Sequence, residues 1–233
     1  MKTSTKTDNP DNVVDLFTGN PYSSVSDTRF IRLAPELDGL EVLYSNESNT
    51  EKLFSLQVLC WGLRANGEVL ALVPWLDDIV ACTDIKDPLN GKWEGYFDPG
   101  IDEVFYDAPI HKIVELETSA EYYEQICEDD TDIIQEIPDT IGTHAVFADG
   151  RLENLILTEI VSWRLHHDGL ICGMAANEKL VKSTPVLPGD ECLYSVQSRE
   201  QFRYYFQHHI ANRIKAEDPE ALAAISLLVE DSG

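Results

Sequence analysis

Five of the six histidines fall in the second half of the chain, at His144, His166, His167, His208 and His209. To hold zinc, His166 or His167 would have to meet His144 and an acid such as Asp168, because zinc takes three or four ligands converging at about 2.0 to 2.3 Å. Neither HxxxH nor HExxH occurs. The adjacent pairs point to opposite faces of a strand, or about 100° apart on a helix. The pattern therefore predicts turn histidines and a helix-surface pair with no metal site. A small hydrolase or metal-dependent enzyme built on these histidines is the alternative function. The acidic runs Asp77-Asp78 and Glu128-Asp129-Asp130 lack the alternating ligands of a calcium loop and read as solvated faces. No GxSxG, Walker A or GxGxxG segment is present, so no catalytic residue and no cofactor is assigned. The cysteines Cys60, Cys82, Cys127, Cys172 and Cys192 are odd in number and nowhere spaced as CxxC, which fits neither a zinc ribbon nor a disulfide framework. Cys60, next to Trp61, reads as a small buried strand residue.

Charge speaks more clearly than any motif. The 233 residues carry 42 acidic against 17 basic side chains, a formal charge of −25. Such a surface repels phosphate backbones and anionic membranes, which argues against direct nucleic-acid binding; it reads either as a surface for a basic protein partner or as a plain soluble acidic surface such as salt-tolerant organisms use. With 43% apolar residues the chain can bury a core and is not an acidic tail. The first residues hold no apolar segment after their lysines, and no run is long enough to cross a bilayer. A reduced, cytoplasmic protein with no membrane association is expected. Oligomeric state is left open.

The elements that must position these residues recur. Trp61-Gly-Leu-Arg-Ala-Asn-Gly67 returns as Trp163-Arg-Leu-His-His-Asp-Gly169, with Trp163 following Trp61 by 102 residues. The same offset aligns Glu51 with Glu153, Leu53 with Leu155 and Leu63 with Leu165, and Gly39–Asn46 corresponds to Gly142–Asp149. Apolar residues scatter around a helical wheel but fall on strand faces, so 51–64 and 153–166 read as strands carrying a bulge or buried on both sides; a buried helix is the competing reading. Asn66-Gly67 and Asp168-Gly169 predict two-residue type I′ turns. Their return strands are Glu68–Val73 and Leu170–Ala175. A short strand precedes the first copy at Arg29–Leu33.

Downstream, Leu116–Ser119 matches Ser195–Ser198, in each case a strand running into a serine N-cap and an aromatic-bearing helix. That match has an offset of only 79, so the first copy holds about 23 extra residues, assigned to an insertion at 81–110. Trp93, Tyr96, Phe97, Phe105 and Tyr106 lie within it among carboxylates. These five are the predicted partner-binding residues, since aromatic anchors supply interface area and acids steer a basic partner; inward packing of the same rings is the competing reading. At the end of the chain, Phe202, Tyr205, Phe206, His209, Ile210 and Ile214 space as one helix face, and Asp218-Pro219 opens another.

The expected architecture is α+β: a flexible tail (1–28), a first β-rich repeat (29–130) and a second (138–233) with C-terminal helices, the copies sharing one core. The expected function is an acidic, non-catalytic protein-binding module, such as an inhibitor, immunity protein or DNA mimic. Within the tail, Val13-Val-Asp-Leu-Phe17 forms an apolar island. It resembles the bacterial sliding-clamp-binding pentapeptide, Gln-Leu-Asp/Ser-Leu-Phe, at Asp15, Leu16 and Phe17, and departs from it at Val13. The resemblance implies a docking peptide; packing onto the protein's own core is the other reading.

Overall fold

The computed structural model describes residues 27–46, 49–85, 92–118, 132–148, 155–177, 181 and 185–207. The tail with its apolar island, Cys127, His208, His209 and the residues after them lie outside that set. Every strand pairing within it is antiparallel. One sheet has the order β1-β4-β5-β6, from Phe30–Pro35, Cys60–Arg64, Val69–Trp75 and Asp78–Ala81. A second has the order β3-β2-β7-β8, from Asn49–Gln57, Glu41–Asn46, Lys92–Asp98 and Glu103–Phe105. One α-helix is found among the described residues, α1 at Ile110–Thr118.

The later strands form one larger sheet. It contains β9 (Ile133–Pro138), β10 (Thr143–Ala148), β11 (Leu155–His166), β12 (Ile171–Ala176), β13 (Leu193–Ser195) and β14 (Phe202–Gln207). The twelve-residue β11 serves two neighbourhoods: its start pairs with β10, and its end lies between β12 and β9. A register shift between Ile160 and Ser162 is where it turns from one to the other. The corresponding run in the first half is split into β3 and β4 by Val58 and Leu59. Both runs are strand, as the apolar pattern predicts, and all five residues of β4 are buried.

Residues from both halves of the chain build the central core, including Leu33, Leu59, Leu72, Ile137, Trp163 and Leu165. A second core gathers Val42, Tyr44, Leu56, Trp61, Tyr96 and Leu116. The halves join along β1 and β9. The Gln135 side chain accepts from the Leu33 N–H at 2.8 Å and donates to the Leu33 carbonyl at 2.7 Å, satisfying a buried strand edge. Thr140 Oγ1 adds a bond to the Glu36 carbonyl at 2.7 Å.

Three expectations need correction. The C-terminal helix does not begin at Ser198: residues 196–198 form a 3-10 turn, the Ser198 hydroxyl donates to the Ser195 carbonyl at 2.6 Å, and Phe202–Gln207 is strand β14. Aromatic residues favour the pleated, half-buried setting offered by the edge of β10, and there Tyr205 meets Trp163 edge-on at 5.1 Å between centroids. Helical spacing over that run was outweighed by tertiary pairing. Leu116–Thr118, in turn, is the last turn of α1 and not a strand leading into a helix.

The hairpin turns are also not type I′. Gly67 and Gly169 have φ of +88° and +89°, while Asn66 and Asp168 do not enter the positive-φ region. Each Gly N–H bonds three residues back, to Arg64 and His166, at 2.9 Å, which makes a type I turn closed by a glycine bulge. The Asx side chains accept from the N–H two residues on, at Glu68 (3.0 Å) and Leu170 (2.9 Å), so Asn and Asp are chosen for that bond.

Candidate functional site

Strand β7 places the predicted aromatics. Its Gly95 sits at φ +133°, and a Cβ there would meet Phe105 O and Val104 Cγ1 at 2.9 Å; only glycine lets β8 approach so closely. Tyr96 is 1% exposed. Its ring lies 5.0 Å from Trp61, 5.4 Å from Trp93 and 5.7 Å from Phe105, and its oxygen is 3.6 Å from the Cys82 sulfur. Burial pushes its phenol well above the usual tyrosine range. Tyr96 is thus a core ring. Trp93, Phe97 and Phe105 are half-buried, whereas Tyr106 is 67% exposed and meets Trp93 edge-on at 6.5 Å. The Trp93 indole Nε1 is buried without a hydrogen-bond partner among the described residues.

Beyond β7 the chain turns unusual. Ile101, Val104, Tyr106, Ile110 and Val114 are all large apolar residues left in solvent. Helix α1 carries two of them. Pro109 opens it, its carbonyl accepting from the N–H groups of Lys112 and Ile113. The face turned to the protein holds Lys112 and Leu116. Lys112, 3% exposed, donates from Nζ to the Pro35 carbonyl at 2.8 Å and to Glu115 Oε2 at 3.3 Å. Arg32 reaches the C-terminal carbonyls of α1, Leu116 O at 2.9 Å and Glu117 O at 3.1 Å, where the helix dipole favours a cation. His111 pairs with Asp38 at 2.9 Å. The carboxylates of Asp102, Glu103, Asp107 and Glu117 are on exposed residues. The basic groups between Phe97 and Thr118 are therefore engaged with the protein's own oxygens, and the acids face out.

The described histidines stand apart. His144 bonds the Gly142 carbonyl at 3.0 Å and sits opposite Glu159, whereas His166 bonds Asp132 at 3.1 Å at the far end of β11. Seven residues of strand separate Glu159 from His166, about 20 Å. No group of three or more His, Cys, Asp or Glu among the described residues is placed to hold a metal ion. The described cysteines, Cys60, Cys82, Cys172 and Cys192, are free and buried. Burial pushes the Cys82 thiol up to about 11 and raises Cys60 and Cys172 as well, away from the thiolate a nucleophile needs.

No protein-family model, curated protein or solved structure matches this chain. Sequence reading located the aromatics but missed Ile101, Val104, Ile110 and Val114. An available signal was Ala108-Pro109, a helix opener; with it, helical spacing from 110 sets Ile110 and Val114 on one face.

Proposed function

We propose that the chain is an acidic, non-catalytic protein-binding module for a basic partner, built on an internally duplicated β scaffold. The duplication is supported by matching details. Trp61 donates to Glu36 at 2.5 Å and Trp163 to Asp139 at 2.9 Å; Tyr96 and Tyr205 meet these indoles at steep angles, 57° and 61°, with centroids 5.0 and 5.1 Å apart. The Tyr205 hydroxyl accepts from the Gly173 N–H at 3.0 Å, and a backbone bond from Ala71, 102 residues earlier, reaches Tyr96. β7 flanks β2 as β14 flanks β10. β1 pairs with β4 as β9 pairs with β11, with Ala34 opposite Trp61 and Ile137 opposite Trp163. On this reading Trp93–Asp98 belongs to the framework, and β8 and α1 have no counterpart among the described residues of the second copy.

The binding reading rests on one observation: between Ile101 and Val114 five large apolar side chains stay exposed among outward carboxylates, while Lys112 is turned inward. Apolar groups inside a polar rim are how protein interfaces are composed, and the acids would raise the association rate of a cationic partner. The test is to pass lysate of the source organism over the immobilised full chain and elute with rising salt. A basic protein retained at low salt and released in the salt steps is expected. Retention matching that of an equally acidic control protein would overturn the reading.

A further inference from the structure

Helix α1 buries Leu116 but carries two large apolar side chains on its outer face. A surface helix normally buries its apolar stripe and shows charge. Here Lys112 is buried, and Ile110 (79% exposed) and Val114 (50% exposed) face away from the protein one turn apart. Lys112 and Arg32 clamp the helix from beneath, onto the Pro35 carbonyl and onto the carbonyls of Leu116 and Glu117. We infer that this outward stripe docks a cationic amphipathic helix of the partner protein, an inference that rests on the basic-partner reading above.

Three features select that occupant. The backbone of α1 is spent on its own helical bonds, so it offers no strand edge for an extended peptide and can be read only through side chains. Residues spaced four apart form a ridge that packs into the grooves of another helix. The exposed carboxylates of Asp107 and Glu117 favour positive charge on that helix, and the formal charge of −25 opposes covering the stripe with a second copy of this chain.

The probe is a synthetic leucine/lysine peptide of about 15 residues with leucines at helical spacing, compared with a scrambled isomer and with oligolysine of equal charge. The full chain should bind the amphipathic isomer at least about 10-fold more tightly than the scrambled one. Ile110→Gln with Val114→Gln should erase that preference and leave oligolysine binding intact, while Val114→Leu should keep it. A preference that survives the double substitution, or none in the unaltered chain, overturns the assignment. So does light scattering that finds a dimer abolished by the double substitution, which would give the stripe to a second copy. If both isomers bind equally, the basic-partner reading stands and this one fails; if no cationic peptide binds at low salt, both fail.

Discussion

Each of the two wholly buried indoles is held by a carboxylate, the buried Glu36 and the half-buried Asp139. Glu36 accepts from Trp61 and from the Asp38 N–H at 2.6 Å; Asp139 accepts from Trp163 and from the Thr143 N–H at 2.8 Å. Burial raises the Asp139 carboxyl above its ordinary 3.8, against the pull of these hydrogen bonds. A raised carboxyl binds its proton more tightly folded than unfolded. Its contribution is complete below the unfolded value and is lost as pH rises through the folded value. Subtracting the stability of Asp139→Asn from that of the unaltered chain, by urea unfolding at stepped pH, should thus give a difference that falls as pH rises through this window; a constant or rising difference would contradict the burial argument. Trp93 makes the opposite case. Its Nε1 has no partner among the described residues, so Trp93→Phe removes a donor unsatisfied there and keeps the ring contact with Tyr96. The substitution should be neutral or slightly stabilising, and a loss of more than about 1 kcal/mol in chemical denaturation would show that the donor is satisfied in solution.

At the scale of elements, the two hairpins offer a matched pair of substitutions. Both glycines need a left-handed backbone, yet a Cβ on Gly67 meets nothing within 4 Å, whereas one on Gly169 would lie 3.1 Å from Arg29 Cβ and 3.3 Å from Arg29 Cα. Gly67→Ala should therefore cost only the backbone strain, about 1–2 kcal/mol, and Gly169→Ala more, because it also pushes on the chain entering β1. Equal losses in thermal unfolding would contradict the contact. These hairpins and the strands flanking them were legible because Asx-Gly between apolar alternations has few other uses. The turn type was not, since a bulged type I turn and a type I′ turn draw on the same residues. β14 was misread because its six residues satisfy a helical stripe as well as a strand, and only the open edge of β10 decides between them. α1 was missed for a related reason: Ile110 and Val114 face outward and Leu116 is its only fully buried apolar residue, so no continuous buried stripe marked it.

For the whole molecule, composition indicated an acidic surface but not where on it a partner would sit. The aromatic segment was legible as a candidate, yet Tyr96 belongs to the core, and the exposed share is carried by Tyr106 and the aliphatic residues around it. Among the described residues no helix is long and apolar enough to cross a membrane. What the fold adds is the contrast between a scaffold whose two halves satisfy each other along β1 and β9 and the segment from Ile101 to Val114, which leaves five large apolar side chains exposed. The central claim is that this segment binds a basic protein. Its most direct test compares the unaltered chain with Tyr106→Ala in retaining that protein from lysate, alongside thermal unfolding of both. The account predicts at least about a 10-fold loss of binding with the melting temperature unchanged, because Tyr106 lies largely in solvent. Unchanged retention, or a loss of binding that only accompanies unfolding, would contradict it.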